Sequence, residues 1–140
     1  MKYLIKGGKV IDPANHIQEV LDVLVENGQI LSVEKKIKAA DAEIIDVKGM
    51  IVAPGFIDMH VHLREPGFEH KEDIASGTRA AAVGGFTTIC CMPNTQPVVD
   101  NLAAASFVRE RAKKSGVVNV LPIGAITKKQ EGQELSMIAD

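Results

Sequence analysis

Residues 54–64, Pro-Gly-Phe-Ile-Asp-Met-His-Val-His-Leu-Arg, decide the fold of this chain. The run from 56 to 63 predicts a β-strand, and alternate side chains on a strand share one face. The polar face then carries Asp58, His60, His62 and Arg64, whereas the opposite face carries Ile57, Met59, Val61 and Leu63. In a barrel of parallel strands the apolar face packs against the helices, and inward polar residues at the C-terminal strand ends line the active site.

Two histidines on this strand indicate metal chemistry. His60 and His62 are two residues apart, so both imidazoles project from the same face and can reach one ion. Neutral imidazole is a good zinc ligand. Asp58 lies deeper on that face, and we expect it to orient a histidine rather than to bind the ion. Spacing alone leaves another interpretation open, in which the polar face belongs to an edge strand exposed to water.

The segments after Arg64 alternate between helix-like and strand-like patterns. We predict a helix over 69–83, a strand over 86–92, a helix over 100–115 capped by Asp100, a strand over 117–126 and the start of a third helix over 133–140. This alternation is typical of a parallel sheet with crossover helices. Cys90 and Asn94 are separated by an even number of residues, so if Cys90 points into the barrel, Asn94 is expected at the rim that carries His62 and Arg64. The alternative is that Pro-Asn-Thr at 93–95 is merely a turn.

The first fifty residues predict a different architecture. Short apolar runs are separated by Gly7-Gly8 and Asn27-Gly28, which are typical turn signals between paired strands. We therefore assign 1–53 to a β-rich segment of a small β-sandwich domain. Residues 54–140 are assigned to the first three β/α units of a (β/α)8 TIM-like barrel, so the fold class is α/β. A complete barrel takes about 250 residues, so we expect the chain to be truncated.

Composition excludes several classes of protein. The formal net charge is -2 at pH 7, so no basic excess favours nucleic acid. No apolar run approaches the roughly 20 residues of a membrane span. Cys90 and Cys91 are adjacent and would point to opposite faces of a strand, so neither a disulfide nor a shared metal site is expected. These features predict a cytoplasmic protein.

The motifs together resemble the cyclic amidohydrolases, and dihydroorotases in particular. The resemblance rests on the motif at 54–67, on Gly84-Gly85-Phe86-Thr87-Thr88, on Cys91-Met92-Pro93-Asn94-Thr95 and on the N-terminal stretch at 7–13. Allantoinases tend to have asparagine at the position of Arg64, and hydantoinases depart from the motifs around Arg64 and Asn94. The joint occurrence of Arg64 and Asn94 is therefore the specific part of the resemblance.

The resemblance implies a zinc hydrolase of pyrimidine biosynthesis that interconverts N-carbamoyl-L-aspartate and L-dihydroorotate. It implies one or two Zn²⁺ per full-length subunit, held in part by His60 and His62. The substrate would contact His62, Leu63, Arg64 and Asn94, while the catalytic aspartate is expected beyond Asp140. The chain alone is expected to be inactive, and the full-length protein to form a homo-oligomer. Two alternatives remain: another cyclic amidohydrolase, or a non-catalytic partner of aspartate transcarbamoylase.

Overall fold

The computed structural model describes residues 1–137. It divides the chain into two compact units, Met1–Pro54 and Gly55–Asp140, and each is described here by itself. The predicted third helix at 133–140 is wrong for its first five residues, because 133–137 form no helix and Leu135 instead makes an antiparallel bridge to Thr127. Residues 138–140 lie outside the described residues. None of the described helices is long and apolar enough to cross a membrane.

The first unit is a five-stranded sheet. Its strands are β1 (Lys2–Asp12), β2 (Ile17–Glu26), β3 (Gln29–Glu34), β4 (Glu43–Asp46) and β5 (Ile51–Val52), with a 3₁₀ turn at Pro13–Asn15. The order is β3-β2-β1-β4, and β5 also pairs with β1. The predicted hairpin at Asn27-Gly28 is confirmed, since both residues have the positive φ angles that a tight two-residue turn requires.

The predicted turn at Gly7-Gly8 is wrong. Strand β1 runs straight through both glycines, and its register against β2 shifts by one residue between Ile5 and Gly8. Gly7 has φ +74°, so it forms a bulge in the strand. The buried carboxylate of Asp22 accepts hydrogen bonds from the backbone N–H groups of Gly7 (3.0 Å) and Ile37 (3.1 Å), which holds the bulge in place.

The second unit alternates strands and helices. It contains β6 (Phe56–Val61), α1 (Ile74–Val83), β7 (Phe86–Cys91), α2 (Leu102–Ser115), β8 (Asn119–Pro122) and a 3₁₀ turn at Lys128–Gln130. The three strands form a parallel sheet in the order β6-β7-β8, which confirms the predicted parallel α/β arrangement. A buried cluster unites the strands with both helices; its members are Leu63, Ile74, Ile89, Cys91, Val99, Ala104 and Val108.

Both helices begin later than predicted, because local capping decides their first turns. Helix α1 starts at Ile74 rather than at 69, since the Asp73 carboxylate accepts from the Ser76 N–H in a capping box. These hydrogen bonds also hold the pKa of Asp73 below its usual value. Helix α2 is capped by Asn101 and not by Asp100, because Asn101 Oδ1 accepts from Ala104 N at 3.0 Å.

The strict alternation predicted for β6 is also wrong. The register of β6 against β7 shifts between Asp58 and Val61, so Asp58 pairs opposite the buried Ile89 and Val61 opposite the buried Cys91. Asp58 therefore does not share the face of His60. The predicted apolar face is divided as well, because Ile57 is 63% exposed, whereas Leu63 is buried in the core.

An ion pair between a buried carboxylate and a partly exposed guanidinium joins the chain after β6 to both helices. Glu65 is 4% exposed, and its Oε2 accepts the N–H of Ile74 at 3.0 Å, in the first turn of α1. Its Oε1 pairs with Nε of Arg111 on α2, and this pairing raises the pKa of the guanidinium above its usual value. A desolvated carboxylate needs such partners, because an unpaired buried charge is costly.

We predict that Glu65→Gln lowers the free energy of unfolding by about 2 kcal/mol, because the variant keeps the shape of the side chain but removes the charge of a buried acceptor of two hydrogen bonds. Urea denaturation measures the change. Glu110→Gln is the matched control: its partner Lys113 lies on the same helix in an exposed pair, and its loss should have no measurable effect. Equal urea denaturation midpoints for the two variants would show that the pair of Glu65 and Arg111 contributes no stability.

Candidate functional site

The two predicted histidine ligands lie where β6 ends. His60 is within the strand, and His62 follows its last residue, Val61, whose carbonyl oxygen accepts the N–H of Met92 at 2.9 Å. Both histidines are exposed. Their ring centroids are 5.4 Å apart, with the planes inclined at 64°. Two imidazoles thus lie side by side at the carboxyl edge of the parallel sheet.

The spacing of the two rings suits a single zinc ion. A nitrogen 2.0–2.1 Å from a tetrahedral ion puts each ring centre roughly 3.2 Å from it, and two such rings about 5.2 Å apart. The observed 5.4 Å is close to that value. Among residues 1–137, however, no group of three or more histidine, cysteine or acidic side chains is placed to hold a metal. The described residues therefore offer two imidazoles at this rim, fewer than the roughly three protein ligands that a catalytic zinc site needs.

Asn94 reaches the same rim from the end of β7. Its Oδ1 lies 2.9 Å from Nδ1 of His62, although 32 residues separate the two in sequence. The prediction that Asn94 emerges beside His62 is therefore confirmed. Two hydrogen bonds stabilise the backbone segment that carries Asn94. The hydroxyl of the buried Thr95 donates to the carbonyl of Pro97 at 2.7 Å, and Val99 N donates to the carbonyl of Pro93.

Arg64 and Leu63 have very different environments. Arg64 has φ +61° and sits in a hydrogen-bonded turn in which Glu65 N donates to the Leu63 carbonyl at 2.7 Å. A γ-turn with positive φ is a rare and strained conformation. Leu63 is 4% exposed and its side chain packs in the core. A contact between Leu63 and a ligand would therefore have to come from the backbone of Leu63, and this contact remains a prediction.

Asp58 does not orient an imidazole. Its Oδ1 accepts the backbone N–H of His60 at 3.0 Å, so it braces the strand instead of the ring that was expected. With His62, Leu63, Glu72 and Gly77, the residue lines a cavity of about 270 Å³ on the side of α1. A larger cavity, of about 660 Å³, lies between β8 and α2 and contains none of the predicted site residues.

The loops that carry Arg64 and Asn94 are joined by their backbones. Gln96 N donates to the carbonyl of Pro66 at 2.9 Å. Gly67, at φ +95°, approaches so closely that a Cβ there would lie 2.2 Å from the carbonyl oxygen of Gln96. Sequence reasoning identified Pro66-Gly67 only as a turn, because nothing in the local pattern reveals a neighbour thirty residues away.

Comparison with known proteins agrees with this geometry. Residues 49–140 match the model of a family described as dihydro-orotase-like. The chain belongs to this family. The dihydroorotase of Geobacter sulfurreducens is 57% identical to this dihydroorotase-like chain over 141 residues, covering 100% of the chain and 33% of the relative. The dihydroorotase of Aquifex aeolicus is 52% identical over 136 residues, covering 97% of the chain and 32% of that protein.

Solved structures support the same fold. The L-hydantoinase of Arthrobacter aurescens superimposes with a TM-score of 0.81 at 26% identity, covering 89% of the chain and 28% of that structure. A dihydropyrimidinase from Brevibacillus agri superimposes with a TM-score of 0.78 at 29% identity, covering 91% of the chain and 28% of that structure. The dihydroorotase-like chain thus spans about a third of the length of the curated relatives it matches.

We predict that Gly67→Ala lowers the free energy of unfolding by about 3 kcal/mol, because it adds a clash with the backbone of Gln96 to the strain of positive φ. Gly132→Ala is the matched control. Gly132 has φ +73° and nothing within 4 Å of an added Cβ, so strain alone should cost about 1 kcal/mol. Urea denaturation of both variants measures the difference, and equal losses would refute a close contact between the loops.

Proposed function

We propose that this chain forms the N-terminal part of a zinc-dependent dihydroorotase, a cyclic amide hydrolase that interconverts N-carbamoyl-L-aspartate and L-dihydroorotate in de novo pyrimidine biosynthesis. The observation that carries the proposal is the convergence of His60, His62 and Asn94 at one rim of the sheet. The dihydroorotase relatives, which match essentially the whole chain, support this substrate class.

His60 and His62 would hold the zinc ion. Both rings are exposed at the carboxyl edge of the sheet and are spaced for one tetrahedral ion. Bound there, the ion would act as a Lewis acid toward the cyclic amide carbonyl and make a water molecule a better nucleophile. The two histidines would bind the ion and orient it. The remaining ligands and the catalytic aspartate would be supplied by the rest of a (β/α)8 barrel, to which the described residues contribute three strands and two helices.

Arg64 and Asn94 would bind the substrate carboxylate. A guanidinium can hold a carboxylate through two parallel charge-assisted hydrogen bonds, and an amide N–H can add a third. Arg64 has no hydrogen-bonded or ionic partner for its side chain within residues 1–137, so its donors are available for a ligand. The ring of the substrate would then lie against His62 and the backbone of Leu63, beside the metal.

A second candidate is a hydantoinase-type enzyme, because an L-hydantoinase and a dihydropyrimidinase are among the similar solved structures, although the relatives that match essentially the whole chain are dihydroorotases. Hydantoins and dihydropyrimidines are cyclic amides without the dihydroorotate carboxylate, so a site built around Arg64 has no anion to bind in them. The number of zinc ions, homo-oligomer formation, a cytoplasmic location and association with aspartate transcarbamoylase remain predictions.

We predict zinc and dihydroorotate hydrolysis in the protein at the full length of its relatives, and neither tight zinc binding nor turnover in the 140-residue chain. Two ligands leave the zinc site incomplete. Metal analysis and a coupled assay on both proteins, side by side, measure this. Turnover by the 140-residue chain would contradict the prediction. In the longer protein, His60→Ala and His62→Ala should each weaken zinc binding at least about 100-fold, whereas His70→Ala, an exposed histidine, should not.

We predict that Arg64→Met raises the KM for dihydroorotate about 10- to 100-fold with a smaller change in kcat, because a charge-assisted contact to the carboxylate is lost in both ground and transition states. Steady-state kinetics of the longer protein measure this. Arg79→Met, at an exposed arginine of α1, is the matched control. Hydrolysis of dihydrouracil, which has no carboxylate, should be unaffected; an equal loss with both substrates would rule out carboxylate binding by Arg64.

A further inference from the structure

The contact between His62 and Asn94 determines which histidine nitrogen carries the proton. An amide oxygen can only accept a hydrogen bond, and Oδ1 of Asn94 lies 2.9 Å from Nδ1 of His62. With the amide in this orientation, Nδ1 is the protonated nitrogen. In a neutral imidazole the other nitrogen, Nε2, then holds the lone pair. The hydrogen bond thus selects one of two tautomers and also fixes the rotation of the ring.

The other end of the Asn94 amide is available. Among residues 1–137 no acceptor is hydrogen-bonded to Nδ2 of Asn94, and the residue is exposed at the rim. A turned amide would instead donate from Nδ2 to an unprotonated Nδ1, so the orientation of the amide and the tautomer of His62 are set together. Hydrogen bonds of Thr95 and Val99 fix the backbone segment that carries Asn94.

We propose that Asn94 is the positioning residue for His62: its Oδ1 holds the Nδ1–H tautomer, so that Nε2 is the metal-binding atom, while its Nδ2 donates to the substrate carboxylate. The second half rests on the proposed function. A single amide then links the two binding events. A carboxylate on Nδ2 polarises the amide and makes Oδ1 a stronger acceptor, which makes the imidazole a better ligand.

This linkage requires that metal and substrate strengthen each other's binding. Free energies of coupling are reciprocal, so a carboxylate that tightens zinc binding must itself bind more tightly when zinc is present. A residue that only bound substrate would leave the tautomer of His62 and the zinc affinity of the substrate-free protein unchanged. These two quantities therefore distinguish a positioning role from simple substrate binding.

The first experiment uses the metal-free 140-residue chain labelled with ¹⁵N. Long-range ¹H–¹⁵N spectra at pH 8, where ordinary imidazoles are neutral, report which nitrogen of each histidine is protonated. We expect His62 to be protonated at Nδ1 in the native chain and to lose that preference in Asn94→Leu. Asn119→Leu removes an asparagine that bonds to Thr88 instead, and it should leave His62 unchanged.

The second experiment titrates Zn²⁺ into the longer protein in competition with a chelator. Asn94→Leu should weaken zinc binding about 10- to 100-fold, and Asn94→Asp, which keeps an oxygen acceptor, should retain it. Asn94→Asp should nevertheless raise the KM for dihydroorotate at least about 10-fold, because the donor is lost and a negative charge faces the carboxylate.

The outcomes separate the two proposals. A native His62 protonated at Nε2, or zinc affinity unchanged in Asn94→Leu, overturns the positioning role and leaves the dihydroorotase assignment intact. An Nδ1–H tautomer in a longer protein that binds no zinc and hydrolyses no dihydroorotate overturns the proposed function instead. Both proposals are supported if Asn94→Leu loses the Nδ1–H tautomer and weakens zinc binding, while Asn94→Asp retains zinc binding and raises the KM for dihydroorotate.

Discussion

The arrangement of the second unit depends on one buried carboxylate. Glu65 is almost wholly removed from water, so its charge must be satisfied by the protein. One partner is a backbone N–H in the first turn of α1, and this N–H has no acceptor within the helix. The other partner is Arg111 of α2. Because Glu65 directly follows Arg64, the chain leaving β6 is fixed to both helices at the point where the candidate site begins.

The site is divided between two loops that meet in three places. A side-chain bond joins His62 to Asn94, a backbone bond joins Pro66 to Gln96, and Gly67 packs directly on Gln96. These contacts hold the rim without any ligand. A functional site works best when its groups are held in place before the ligand arrives, and the second unit achieves this with backbone contacts as well as with side chains.

Much of this architecture could be predicted from the sequence. Periodicity and turn chemistry were enough for the parallel strands around Ile89 and for the hairpin at Asn27-Gly28, because both are local signals. The alternation along β7 indicated, but could not decide, that Asn94 lies beside His62, because β7 ends at Cys91 and a turn remained the alternative. In these cases the local rule and the tertiary structure agree.

Apart from the helix starts, which local capping decides, the main failures arise where a local rule does not determine the structure. Strict alternation misplaced Asp58 because the register of β6 shifts, and a register shift has no signature in hydrophobic periodicity. Gly7-Gly8 looked like a turn, but a bulge uses the same positive φ. The pairing of Glu65 with Arg111 spans 46 residues, and no spacing rule reaches that far.

The contact between Gly67 and Gln96 has a consequence for how such chains diverge. Two loops that touch backbone to backbone cannot change length or bulk independently, because there is no space between them to absorb an insertion. A lengthened loop after β6 would have to be accompanied by a compensating change after β7. We therefore expect changes of length in the two loops to occur together, so that the two loops vary as one unit.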